Sequence, residues 1–148
     1  MKRIGFGQVE PNHLSAKRNG QIYAQLPANK DIKVLENGMF AKYDYTNGEV
    51  NFSGAGEWML VFNEVKLYDD AWRESYKDFA MMPDNRGEMT PRLFKTSVGD
   101  IFTTNCLKLA GEKGVEVDMG TVTVGDKFCP GSNGYLTPVT IGEESEAK

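Results

Sequence analysis

Histidine occurs once in this chain and cysteine twice, and those scarcities close off much of the chemistry that side chains perform. A structural zinc takes four ligands, nearly always Cys or His, and Cys106, Cys129 and His13 cannot supply four. The cysteines do not form C-x-x-C; two reduced thiols are the expectation, with a disulfide between them as the alternative. A Ser or Cys nucleophile of the usual kind needs a histidine base held beside it. His13 follows Pro11-Asn12 in a stretch without apolar period and is a poor candidate for that work. No G-x-x-x-x-G-K-[ST] phosphate loop exists, Gly5-Phe6-Gly7 has no strand before it, and Gly54-Ala55-Gly56 reads as a hairpin bend. Carboxylates such as Glu57, Glu64, Asp69 and Asp70 offer pairs by composition alone, with strand-face and turn roles as the plainer account. The expectation is a protein with no catalytic residue, no metal and no cofactor: not an enzyme.

Long apolar runs and basic clusters are also missing. No stretch approaches the roughly 20 apolar residues of a membrane-spanning helix. Lys2-Arg3 is not followed by the apolar segment of a secretory signal. The formal net charge is −4, and beyond an adjacent pair at Lys17-Arg18 the basic residues are scattered. Nucleic-acid binding needs a basic face that displaces counterions. The chain is therefore expected to be soluble and made in a cytoplasm, with no membrane and no nucleic acid among its partners.

What the chain does contain is glycine, 16 of 148 residues, together with many short β-rich runs. Residues 1–20 hold breakers at Pro11-Asn12 and Asn19-Gly20 and read as an extended arm that stays mobile or docks on a partner. Gln21–Leu26 alternates polar and apolar until Pro27. Asn37-Gly38 and Asn47-Gly48 are strong hairpin signals. A two-residue loop at Asn47-Gly48 would set Tyr45 opposite Val50 and Tyr43 opposite Phe52, with Asp44 and Asn51 on the other face. The continuous apolar run Trp58–Phe62 reads as a central strand, extending toward Val65 and Leu67. Trp72, Tyr76 and Phe79 fall at i, i+4 and i+7, which fits a short helix near 69–80 and leaves a strand at Tyr76–Met82 as the alternative. Short strands follow at Leu93–Lys95, Ile101–Asn105, Val115–Val117, Thr121–Val124, Lys127–Cys129 and Tyr135–Val139. The fold expected is all-β, a short-stranded antiparallel barrel or sandwich built from hairpins, with at most one short helix. It divides into a hairpin-rich part at 21–67 and a barrel-like part at 91–140 within one domain, 21–140, before a flexible acidic tail at 141–148.

One internal echo stands out. Ser97-Val98-Gly99-Asp100-Ile101-Phe102 matches Thr123-Val124-Gly125-Asp126-Lys127-Phe128. In each, glycine supplies a tight turn and the following carboxylate can accept backbone N–H bonds within it. Aromatics provide a separate lead: Trp58, Trp72, Tyr43 and Tyr45, if exposed, could stack on sugars, whereas most aromatics of a small domain serve the core.

Two stretches resemble structural proteins of tailed phages. Val34-Leu35-Glu36-Asn37-Gly38-Met39-Phe40-Ala41-Lys42-Tyr43-Asp44 resembles a signature near the start of small virion proteins. Val124-Gly125-Asp126-Lys127-Phe128, followed by Gly134-Tyr135-Leu136-Thr137, resembles strands of head decoration and capsid auxiliary (cement) proteins. The similarity spans residues 32–45 and 93–139; the Trp58 run and residues 69–82 depart from it. The resemblance implies a virion component without an active site. It would bind the major capsid protein on the outer shell in multiple copies, with self-association a further option, and stabilise or decorate the capsid. It also implies an arm that reaches across capsomers, for which Pro11, Asn12, His13, Leu14, Lys17 and Arg18 are the contact candidates. The competing expectation is a carbohydrate-binding or host-attachment module using Trp58, Trp72, Tyr43 and Tyr45. A small enzyme using carboxylates alone is the third.

Overall fold

A computed structural model describes residues 7–33, 35–63, 80–81, 90–107 and 122–139. The expected features at 1–6, 34, 64–79, 82–89, 108–121 and 140–148 lie outside the described residues, among them Trp72, Glu64, Asp69, Asp70, the acidic tail and all but the last residue of the helix expected near 69–80; Ala80–Met81 is strand.

The strands are β1 (Val9–His13), β2 (Leu35–Glu36), β3 (Phe40–Asp44), β4 (Glu49–Asn51), β5 (Met59–Val61), β6 (Ala80–Met81), β7 (Leu93–Phe94), β8 (Ile101–Thr104), β9 (Phe128–Pro130) and β10 (Leu136–Pro138). One short helix, α1 (Ser15–Asn19), follows β1. The strand pairs are all antiparallel: a four-stranded sheet in the order β4-β3-β5-β7, and two-stranded pairs β1-β8, β2-β6 and β9-β10. The protein is all-β in this sense, and among the described residues the sheets do not close into a barrel. None of its described helices is long and apolar enough to cross a membrane.

The four-stranded sheet explains the Trp58–Phe62 run. β5 lies inside the sheet, and its pleat sends Met59 and Val61 to one face and Leu60 to the other. Both faces are covered, so every position must be apolar. On one face Ala41, Tyr43, Val50, Met59, Val61 and Leu93 pack with Ile32, Leu35 and Cys106. On the other, Phe40 and Leu60 pack with Leu14, Val9, Phe102 and Leu136.

That second layer corrects the expected N-terminal arm. Residues 9–13 are a strand registered on β8, and Leu14 and Ala16 are buried. The low apolar content of residues 7–20 is enough because the segment has one covered side. Pro11 is tolerated because β1 pairs on a single side, with an irregular register between Pro11 and His13. Side chains fasten the segment: Thr104 Oγ1 donates to Gln8 O at 2.7 Å, and the Gln8 N–H donates to Asn105 Oδ1 at 2.6 Å.

Residues 21–27 alternate in exposure as their polar-apolar pattern does, but they form no strand. Val50 N donates to Pro27 O and Asn29 N to Val50 O, each at 2.8 Å, which lays this segment parallel along β4. Tyr43 OH donates to Ala24 O at 2.6 Å.

Two turn expectations change. Asn37-Gly38 makes a tight turn, closed by Met39 N on Glu36 O at 3.1 Å, but β2 and β3 do not pair across it. The Asn47-Gly48 hairpin exists with a different register: Tyr43 faces Val50 and Asp44 faces Glu49, so the loop is four residues, 45–48. The cause is Asp44. Its Oδ1 accepts from Thr46 N and Asn47 N, both at 3.1 Å, and Oδ2 from Asn47 Nδ2 at 2.8 Å and Asn51 Nδ2 at 3.1 Å. A carboxylate that caps its own loop stabilises the longer connection over a two-residue one.

The expected division into 21–67 and 91–140 is not how the strands are distributed. β7, from the later part, completes the sheet of β3 and β5, and Phe40 N donates to Gly134 O.

Candidate functional site

The echoed sequences fold into the same turn twice. In the first, Asp100 N donates to Ser97 O at 3.0 Å, and Ser97 N donates back to Asp100 Oδ2 at 2.8 Å. In the second, Asp126 N donates to Thr123 O at 3.2 Å, and Thr123 N to Asp126 Oδ2 at 2.7 Å. Gly99 and Gly125 take φ of 97° and 103°, a left-handed conformation that disfavours any residue with a Cβ. Backbone and carboxylate thus bond reciprocally across each turn, leaving little freedom at the tip.

What each turn presents is a valine. Val98 and Val124 are exposed at 108% and 107%. A single exposed apolar side chain needs no explanation. The same β-branched residue, raised at the same position of two turns that are built alike, is a repeated feature of the surface.

The two turns are anchored differently. Asp100 reaches the N-terminal segment: its Oδ1 accepts from Ser15 Oγ at 2.7 Å and Ser15 N at 2.9 Å. The Ser15 hydroxyl is the chief cause, with the backbone donors Ser15 and Ser97 and the nearby His13, that holds the Asp100 carboxyl below its ordinary range against the effect of burial. Asp126 instead takes the Thr123 hydroxyl at 3.0 Å.

The first turn gathers other exposed groups. Ile101 is 63% exposed and is the register partner of His13, itself exposed. Asn12 accepts from Thr103 Oγ1 at 3.2 Å. Two of the expected contact residues, Asn12 and His13, therefore lie on the same strand pair as the Val98 turn. Lys17 and Arg18 are exposed on α1, with Lys17 Nζ 4.5 Å from the Phe62 ring centre. Pro11 is half-buried and Leu14 is buried; as a core residue Leu14 is not available to a partner.

The aromatic candidates do not assemble into a platform. Tyr43 is buried because its pleat position faces the core, and burial raises its phenol pKa above the ordinary value despite the Ala24 carbonyl. Tyr45 is 65% exposed, its ring centre 5.6 Å from that of Tyr43. Trp58 is half-buried under Lys42, whose Nζ lies 4.7 Å from the ring centre. Trp72 is outside the described residues.

A buried polar group lies elsewhere. Glu36 Oε1 accepts from Gly7 N at 2.8 Å, and Oε2 from Tyr135 OH at 2.6 Å. Cys106 Sγ donates to Asn37 O at 3.3 Å. These bonds tie Gly7, β2, Cys106 and the turn between β9 and β10 together. Cys129 is exposed and the thiols do not pair. Glu57, one of the carboxylates considered, is exposed and bridged to Lys95 at 2.9 Å. Among the described residues no group of three or more His, Cys, Asp or Glu is placed to hold a metal ion.

The exposed valines were within reach of the sequence: a β-branched apolar residue just before the glycine of a Ser/Thr-x-Gly-Asp turn has no neighbour to pack on. No family model, no curated protein and no solved structure matches this chain.

Proposed function

We propose that the chain is a structural virion protein that binds the outer surface of a tailed-phage capsid and decorates or stabilises the shell. Its partner is the major capsid protein, met in many copies. The observation that supports this reading is the pair of locked Ser/Thr-Val-Gly-Asp turns with fully exposed valines. A rigid apolar tip loses little conformational freedom on docking, so most of its burial contributes to affinity. Two such tips on one molecule suit a surface that repeats. Asn12, His13 and Ile101 are exposed on the strand pair that follows the Val98 turn.

The test is sedimentation with shells assembled from the cognate major capsid protein. Wild-type protein is expected to pellet with the shells, and the double variant Val98→Glu, Val124→Glu to remain in the supernatant while keeping its melting temperature. Wild type that stays in the supernatant at saturating shell concentration sinks the capsid reading. A double variant that binds as well as wild type removes the turns from it.

A further inference from the structure

The sequence carries four Asn-Gly pairs, at 19–20, 37–38, 47–48 and 133–134. Such a pair can modify itself. The glycine nitrogen attacks the asparagine Cγ, the new N–Cγ bond closes a succinimide, and the Cγ–Nδ2 bond breaks to release ammonia. Water then opens the ring at either carbonyl, giving aspartate or isoaspartate. The reaction needs a glycine N–H not held by an acceptor, a side chain that can swing onto it, and room around the ring.

The fold withholds those conditions from two of the pairs. Gly38 N is held by Val61 O at 2.9 Å, and the Asn37 amide is fixed at both ends, by Asn63 O at 3.0 Å and Asn63 N at 2.7 Å. Gly134 N is held by Gly131 O at 2.9 Å, Gly134 is buried, and Asn133 Oδ1 accepts from Tyr135 N at 3.3 Å. At the third pair, Gly20 N closes the end of α1 on Lys17 O at 3.1 Å.

Asn47-Gly48 differs. Both residues are exposed, and among the described residues no acceptor takes the Gly48 N–H. Nothing lies within 4 Å of where a Gly48 Cβ would stand, so the ring has room to form. The Asn47 side chain is held by one exposed bond, Nδ2 to Asp44 Oδ2 at 2.8 Å, through the nitrogen that departs.

We propose that Asn47 is a self-modification site, converting through a succinimide with Gly48 to aspartate or isoaspartate in the folded protein. The product changes the hairpin. A carboxylate replaces the amide that donated to Asp44, so a bond becomes a like-charge contact, and isoaspartate also inserts a methylene into the loop backbone.

Peptide mapping by mass spectrometry after incubation of the folded chain near neutral pH tests this, with a urea-unfolded sample alongside. Asn47 should convert on the order of a hundredfold faster than Asn37 in the folded chain, because about three hydrogen bonds must open first at Asn37. In urea the four sites should converge. The folded chain should also gain negative charge on ion exchange, and Asn47→Gln should abolish that gain. Conversion of Asn37 or Asn133 as fast as Asn47 overturns the proposal. So does an Asn47 that keeps its amide in the folded chain while the unfolded chain loses it, or a charge gain that persists in Asn47→Gln.

Discussion

The side chain of Asn37 pairs with the backbone of Asn63 as a neighbouring strand would. Its Nδ2 donates to Asn63 O at 3.0 Å and its Oδ1 accepts from Asn63 N at 2.7 Å. Asn63 Oδ1 then takes the Arg92 N–H at 2.9 Å, so two amides carry the hydrogen bonding past the ends of β5 and β7.

Asn37→Ala removes both bonds from a part-buried place and should cost about 2–3 kcal/mol, at about 1 kcal/mol or more for each bond. Urea denaturation measures it. An unchanged midpoint would mean water replaces the amide without loss.

Leu14 is buried against Phe40 and Leu60. Leu14→Ala should destabilise by about 2–4 kcal/mol. Deleting residues 1–18 should cost more, since it removes Val9 and Leu14 from one face of the central sheet and leaves β8 without its partner. A truncated protein with an unaltered thermal melt would return these residues to the status of an arm.

Gly48 has φ of 67° and no neighbours near its Cβ position, so substitution there acts through the backbone alone. Gly48→Val should cost about 1–2 kcal/mol. A melting curve superimposable on wild type would contradict the left-handed turn.

The Asp100 carboxyl is held below its ordinary range, first by the Ser15 hydroxyl. A depressed folded value contributes stability that is fully present above the unfolded value, about 3.9, and is lost as pH falls through the folded one. Asp100→Asn should be less stable than wild type at neutral pH, and the gap should narrow below about pH 4. Paired melts across that range decide it: a gap of constant size assigns the loss to shape, not charge.

The sequence was most legible where a pattern reports its own surroundings. Trp58–Phe62 is apolar at every position because β5 is covered on both faces, and the two echoed turns require a glycine where φ is positive. It was least legible where a distant group decides. Val9–His13 resembles an arm until Ile101–Thr104 arrives to pair with it. Asp44 lengthens a hairpin that Asn47-Gly48 alone would have made shorter, and Asn37-Gly38 turns the chain toward Asn63 and Val61 instead of folding β2 onto β3. Of the candidate site, the turn chemistry and the valine at each tip were readable from the repeat, whereas the bond from Asp100 to Ser15, 85 residues away, was not.

The pairing of β1 with β8 also sets a schedule for the nascent chain. Asn12 and Thr103, bonded in the finished fold, are 91 residues apart. At ordinary rates of synthesis the first strand waits roughly 5–20 s for its partner to be made. Until then Phe40 and Leu60 lack their cover, and β1 has an unpaired edge that another chain could occupy. Assembly therefore runs from the middle of this sequence outward, with β1, made before β3 and β5, placed after them.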